Sequence, residues 1–420
     1  MRTIEFTETE NAIDIKEYFD LIEDFKRNLV VGLECERAVN ISSSMLAQHL
    51  KTEYIRYGES RQDSSLAGFK RATANEFNVA FVTTDSSVTY DNEILFTGTS
   101  EKFSWIHDRL LKLEKKLDQL NCEDYNRTTS NHITLLTLQD KIINPIVVKN
   151  LYNLTRAFSP ALYWLCSGDR GTLVRAGINS HATFSNLNPR GKSFEELKGL
   201  NLRRNIINLS KQNYLSIGGK ERLSGFIIEF RNCDGLRVPS ALTSFMMMYK
   251  ALTFKAIELS TKGLISVESL CNWQDTKALC RRITDPNGSL LSTEMNQCRT
   301  KANELIDLIL PQLKSISPEA IPILREIANK PISQRTGEWS TIEKKFLKKT
   351  NKKLTENEEK LVNILIEGEI REKTAGKWKQ KVAQKIGVTE RMVEYLMKRI
   401  EDKTSQGFVF DSEMKSYIFK

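Results

Sequence analysis

The sequence predicts an α+β fold, with a largely antiparallel sheet flanked by helices and a small, mostly helical C-terminal module behind it. Three observations carry that reading. Short β-rich runs recur through the first 235 residues, at 29–37, 78–83, 93–96, 132–136 and 226–231. Helical patterns fall between them irregularly, without the strict strand–helix alternation of a parallel doubly wound sheet. From about residue 240 the strand signals give way to helices and return only at the extreme end.

Taken in order, the first run, LVVGLECER, is apolar with acids at alternate positions. The stretch 101–120, EKFSWIHDRLLKLEKKLDQL, has apolar residues at helical spacing and a charged opposite face, and 145–165 and 239–259 read as helices too. FMMMYKALTF, at 245–254, is the core stripe of the last of these rather than a cofactor-binding element. Pro318, Pro322, Pro331 and Gly337 interrupt helices and mark 315–340 as a connecting stretch. The expected organisation is therefore a main domain over 1–314, a linker over 315–340 and a C-terminal module over 341–420.

Composition bounds the function. The 420 residues are 40% hydrophobic and 27% charged, the balance of a globular protein, and no run of eighteen apolar residues exists to cross a bilayer. MRTIEFTETE at the N-terminus lacks the apolar stretch of a secretory signal, so a cytoplasmic location without a membrane partner is expected. The seven cysteines form no C-x-x-C pair and are odd in number, which suits reduced thiols better than disulfides or a zinc site. Nothing in the sequence fixes the oligomeric state, and a homo-oligomer is compatible with it.

The chemistry-bearing residues lie on the predicted strands. Glu34 and Glu36 leave one face of the first strand roughly 7 Å apart, since side chains alternate along a strand. Two acids that close repel, and a divalent cation held between carboxylate oxygens reverses the penalty. Asp85 and Glu93 are placed across a hairpin, and His132 on the strand that follows. In GFIIEFRNCDG, at 225–235, Glu229 and Arg231 share a face while Ile228 and Phe230 share the other. Each element alone is more often structural; their order and combination carry the argument. GKS at 191–193 is not a phosphate-binding P-loop, because the loop's first glycine falls at Asn186.

GLECE, DSSVTYDNEI, NHIT and IIEFR, in this order, resemble the core of the glutamine synthetase and glutamate–cysteine ligase superfamily, most of all its amidoligase branch. The likeness covers residues 28–235. It implies a glutamine-synthetase-like catalytic sheet and an ATP- and Mg2+-dependent carboxylate–amine ligase, with Mn2+ as an alternative ion, that forms an amide through an acyl phosphate. The substrates implied are a small-molecule or peptide carboxylate and an amine. By the resemblance, Glu34, Glu36, Glu93, His132 and Glu229 are metal ligands, with Glu36 and Arg231 catalytic and Arg231 the phosphate clamp. Asp85 stands where an acid is expected before Glu93. Thr134 takes the place where glutamine synthetase usually has a second histidine. Arg170 and Arg175 in SGDRGTLVRAG, and Arg190 and Lys192 in NPRGKS, are candidate anion-binding groups for ATP or a substrate carboxylate.

In the C-terminal module, KWKQKVAQKIGVTERMVEYLMKRIEDK at 377–403 reads as two helices broken at Gly387, with Thr389 as cap of the second. Two strand-like runs, 407–410 and 416–420, suggest a wing. This is helix-turn-helix spacing and makes DNA a candidate partner. Arg391, Lys398 and Arg399 are expected on the reading helix and Lys377, Lys379 and Lys381 facing phosphates. The rival to the ligase is a DNA-binding regulator or scaffold whose ligase-like domain senses a metabolite without turnover.

Overall fold

The computed structural model describes residues 3–37, 41–55, 76–84, 92–99, 102–120, 130–137, 141–166, 207–208, 213–217, 220–283, 290–331, 357, 360–361, 364, 378–404, 408–411 and 416–419. The chain divides into two compact units, Met1–Trp339 and Ser340–Lys420. No helix among the described residues is long and apolar enough to cross a membrane.

In chain order the strands are β1 (Phe6–Thr7), β2 (Leu29–Arg37), β3 (Glu53–Ile55), β4 (Val79–Thr83), β5 (Asn92–Thr99), β6 (Ser130–Thr137), β7 (Ile142–Ile143), β8 (Ile207–Asn208), β9 (Asn213–Ile217), β10 (Lys220–Ser224), β11 (Ile227–Asp234), β12 (Leu264–Ile265), β13 (Phe408–Asp411) and β14 (Ser416–Phe419). The first unit is mixed α+β, and its main sheet has seven strands in the order β3-β4-β5-β2-β6-β11-β8. The sheet is itself mixed. β3 and β4 run parallel, and the remaining neighbours pair antiparallel. A three-stranded sheet, β7-β10-β9, and the pair β1-β12 complete the described strands of this unit. Strand structure past residue 240 is therefore not confined to the chain's end, because β12 returns to close on β1.

The sheet is amphipathic in an unusual sense: one face is apolar, and the other is polar yet still buried. Strand alternation sends Leu33, Cys35, Ile133, Leu135, Ile228 and Phe230 to one side. That side meets the helix Pro239–Ser260, where Phe230 stacks on Tyr249 at 4.0 Å between ring centroids. The helix is buried almost all round. Its hydroxyl residues survive there because they satisfy themselves. Thr243, Ser244, Thr253 and Ser260 each donate to the carbonyl four residues back, at 2.7–3.0 Å.

Asn144 accepts from the Ile146 amide and caps the helix Pro145–Ala157. The helix Phe103–Gln119 buries Phe103, Ile106, Leu110, Leu113 and Leu117 at helical spacing. It also buries Glu114 in an ion pair with Arg37 at 2.8 Å. Arg37 further donates to the Glu36 carbonyl, Asn131 Oδ1 and the Leu236 carbonyl, while Arg237 Nε binds the second oxygen of Glu114 at 2.8 Å. This network pins the end of β2 to β6, to the chain leaving β11 and to the helix behind them.

The stretch expected to connect the two units folds differently. Ala320–Asn329 is a helix with Ala320, Ile323, Leu324, Ile327 and Ala328 buried, and Trp164 Nε1 donates to the Ala328 carbonyl at 2.8 Å. Pro322 does not prevent it because it falls in the first turn, where an amide has no intrahelical acceptor. This helix belongs to the core of the first unit.

Removing Arg37 takes from the buried Glu114 carboxylate one of the two guanidiniums that lie 2.8 Å from it. Arg37→Ala is expected to lower stability by about 3–5 kcal/mol, read as a downward shift of the urea unfolding midpoint. Burial pushes the Glu114 pKa up, but Arg37 and Arg237 outweigh it and hold the carboxyl below the ordinary glutamate range. A depressed folded pKa gives stability that is present above the unfolded pKa and lost as pH falls through the folded one. Glu114→Gln should therefore flatten the acid limb of thermal stability below the ordinary glutamate pKa and leave its slope nearer neutral pH unchanged.

Candidate active site

The polar face of the sheet gathers the predicted site residues through strand register alone. Glu34 on β2 lies opposite His132 on β6, Thr134 on β6 lies opposite Glu229 on β11, and Glu36 on β2 lies opposite Glu93 on β5. Between Phe230 and Cys233 the β11 register slips, so that Arg231 and Asn232 together face His132. The bulge parts these two neighbours. Asn232 turns to the helical side, donating to the Leu162 carbonyl and accepting from the Tyr249 hydroxyl. Arg231 stays with the acids, and its Nη1 donates to Glu229 Oε1 at 2.7 Å.

Glu34, His132 and Glu229 each offer one ligand atom, and the three atoms lie within 4.8 Å of one another. All three residues are buried. Glu36 stands beside this set in a separate role: its Oε2 accepts from the Ser130 amide at 2.6 Å and from the Ser130 hydroxyl at 2.8 Å. That assignment fixes the rest of the chain of bonds. With its proton given to Glu36, the Ser130 hydroxyl can only accept from His132 Nε2, 2.9 Å away. His132 Nδ1 then faces Glu34 Oε2 at 3.2 Å and Glu229 Oε1 at 3.4 Å. A bare lone pair there would press against two anionic oxygens, and a cation, either a proton or a metal ion, removes the repulsion.

The donor set fits a divalent metal. Two carboxylates and one imidazole suit ions between the hard and borderline classes, Mn2+ more than Mg2+. Histidine ligands usually donate their second ring nitrogen to an orienting group, which Ser130 supplies here. Thr134 Oγ1 is buried on the same face with no hydrogen-bond partner among the described residues, and so is Thr83 Oγ1, whose residue pairs with Glu93. Unsatisfied buried hydroxyls are costly and mark a surface shaped for a polar guest.

Electrostatics ties Arg231 to the whole face. Burial lowers its pKa, but the carboxylates of Glu229, Glu34, Glu36 and Glu93 prevail and raise it above the ordinary arginine value. The guanidinium side chain is 31% exposed, so it is both fixed by Glu229 and reachable by an anion. Cys35, between the two β2 acids but on the other face, has its thiol pushed up to about 12, mostly by burial, and is a packing residue.

Glu93 is half-buried beside Glu36 and is not one of the three converging residues. Asp85, Arg170, Arg175, Arg190 and Lys192 lie outside the described residues, as does Lys377. In the C-terminal unit Arg391 and Lys381 are exposed, and Lys379 is ion-paired to Glu394. Lys398 and Arg399 are on the second helix of that unit. Ser130 was not legible as a site residue: a lone serine at the start of a strand carries no motif, and only its position two residues before His132 hints at a shared face.

No family model matches the sequence, and no curated protein matches it. Among solved structures, the chain is similar to the crystal structure of the complex between prokaryotic ubiquitin-like protein Pup and its ligase PafA. The two share 12% identity with a TM-score of 0.35, over 88% of this chain and 71% of that chain.

Ser130 makes the site testable without any assay of turnover. The full chain is expected to bind Mn2+ by isothermal titration calorimetry, and Ser130→Ala should weaken that binding by about 10–100-fold, the usual cost of losing an orienting partner. Equal affinity in the two proteins would separate Ser130 from the metal set.

Proposed function

We propose that the chain is an ATP- and Mg2+-dependent carboxylate–amine ligase, with Mn2+ as an alternative ion. The single observation that carries this is the convergence of Glu34, His132 and Glu229 with Arg231 on one buried sheet face. A metal-ligand set and a partly exposed guanidinium side by side suit the transfer of a phosphoryl group between anionic oxygens. The sequence resemblance to the amidoligase branch points to the same chemistry.

In this reading Glu34, His132 and Glu229 hold the metal, with Glu36 and Glu93 adding negative charge beside them. The metal's contribution is to neutralise charge on the transferring phosphoryl. Arg231 clamps the phosphoryl oxygens in pairs, which a planar guanidinium does and an ammonium cannot. Its bond to Glu229 keeps the fork oriented before the nucleotide arrives. The substrate carboxylate attacks the terminal phosphorus and ADP leaves. An amine nitrogen then attacks the acyl carbon, inorganic phosphate departs, and the nitrogen gives up a proton as the amide forms. Burial of the face excludes water, which would otherwise hydrolyse the acyl phosphate.

The test is condensation. A metabolite extract incubated with the protein and ATP should yield a new amide by mass spectrometry, and ADP release should depend on both an acid and an amine. Hydroxylamine in place of the amine should give a hydroxamate. ADP release that no carboxylate stimulates would overturn the ligase reading. Arg231→Lys should lower kcat/KM by roughly 10²–10³-fold, because a point charge replaces a two-pronged donor. Glu36→Gln should lower metal-dependent turnover, because it removes a negative charge beside the metal set, while circular dichroism stays unchanged, since the amide oxygen can still accept from Ser130.

A further inference from the structure

The described part of the second unit has the form of a reading head. The helix Trp378–Ile386 ends at Gly387, whose φ of 72° is left-handed and whose missing Cβ would meet nothing within 4 Å. Glycine is therefore required by backbone conformation rather than by crowding. The Val388 amide returns to the Ala383 carbonyl at 2.9 Å, closing the helix end. Thr389 Oγ1 accepts from the Met392 amide at 3.3 Å and opens the helix Glu390–Thr404. Val382, Ala383 and Ile386 are buried on the first helix, as are Val393 and Leu396 on the second, and β13 and β14, which follow in the chain, pair antiparallel.

Residues 377–404, the two helices and the lysine before the first, hold eight Lys and Arg (377, 379, 381, 385, 391, 398, 399, 403) against four acids (390, 394, 401, 402), a net charge of +4. The whole of 341–420 has 19 basic and 13 acidic residues, a net of +6, so two thirds of its excess sits here, carried by 377–386, while the helix Glu390–Thr404 is neutral overall with both signs along it. Lys379 reaches across to Glu394 and clamps the first helix to the second. The clamp also cancels an acid that would otherwise repel phosphate. Arg391, Met392 and Tyr395, the last 54% exposed, are exposed on the second helix, beside Glu390 and Glu394.

We propose that the C-terminal unit binds duplex DNA, with the helix Glu390–Thr404 entering the major groove and the β13–β14 hairpin against the flanking backbone. An α-helix with its side chains is about 10–12 Å across, and the B-form major groove is about 12 Å wide. The A-form groove of duplex RNA is too narrow and deep to admit it. Arg391 and Tyr395, one turn apart, reach base edges, and Lys398 and Arg399 supply phosphate contacts farther along. This inference does not depend on the ligase reading, and either can fail alone.

The experiment is fluorescence anisotropy of the full chain with a labelled, mixed-sequence DNA duplex, titrated between about 50 and 200 mM salt. The expected result is saturable binding whose log affinity falls linearly with log salt. Arg391→Gln, exposed and remote from the unit's core, should reduce affinity and flatten the salt slope by about one if it meets phosphate, or lower affinity at constant slope if it reads a base. Combining it with Lys398→Gln and Arg399→Gln should flatten the slope by about two to three. Lys379→Gln should leave the slope unchanged, because that charge is already spent on Glu394. Absence of binding at the lowest salt, unchanged binding by the Arg391 variant, or tighter binding of single-stranded DNA or duplex RNA would overturn the proposal.

Discussion

Everything at the candidate site follows from a repulsion that the fold does not avoid. Glu34 and Glu229 come from strands on either side of β6, yet both direct an oxygen at the same ring nitrogen of His132, on a face nearly closed to water. Like charges brought together in a poorly solvated place raise each other's energy unless something positive shares the space. The Arg231 guanidinium answers part of this from within the chain. The rest of the geometry, including the Ser130 relay that turns His132 Nδ1 inward, is arranged around the place where positive charge belongs.

Such a cluster needs a stiff frame, and the opposite face of the same strands provides it. Toward the end of β2, Glu34 and Glu36 belong to the site while Leu33 and Cys35 belong to the core. Arg37 is anchored to Glu114, Asn131 and two carbonyls, and Phe230 is held against Tyr249. The ligands therefore inherit their positions from packing interactions they take no part in. A change behind the sheet shifts Glu36 or Glu229 without touching either.

Much of this was legible in the sequence because strands have a period of two. E-x-E and E-x-R place their charged residues on one face wherever the strands lie, and the order of the motifs marked them as parts of one sheet. What the sequence did not carry was the pairing. Register decides that Glu34, not Glu36, meets His132, and register depends on contacts between residues nearly a hundred positions apart. The bulge at Arg231–Asn232, the part of Ser130 and the diversion of Lys379 to Glu394 are likewise tertiary events. So is the helix Ala320–Asn329, where burial against Trp164 and its neighbours overrides the local message of proline.

The bulge in β11 also says something about how this chain can vary. It lets two consecutive side chains part company, one into the helical core and one among the acids, inside a strand that otherwise alternates. Dropping Asn232 would leave Arg231 alone opposite His132 and keep Cys233 and Asp234 opposite Asn131 and Ser130, so the ladder would still pair while losing its tie to Leu162 and Tyr249. The extra residue is thus an addition to a register that runs true on both sides of it, and what it adds is a fastening between the sheet and the helices.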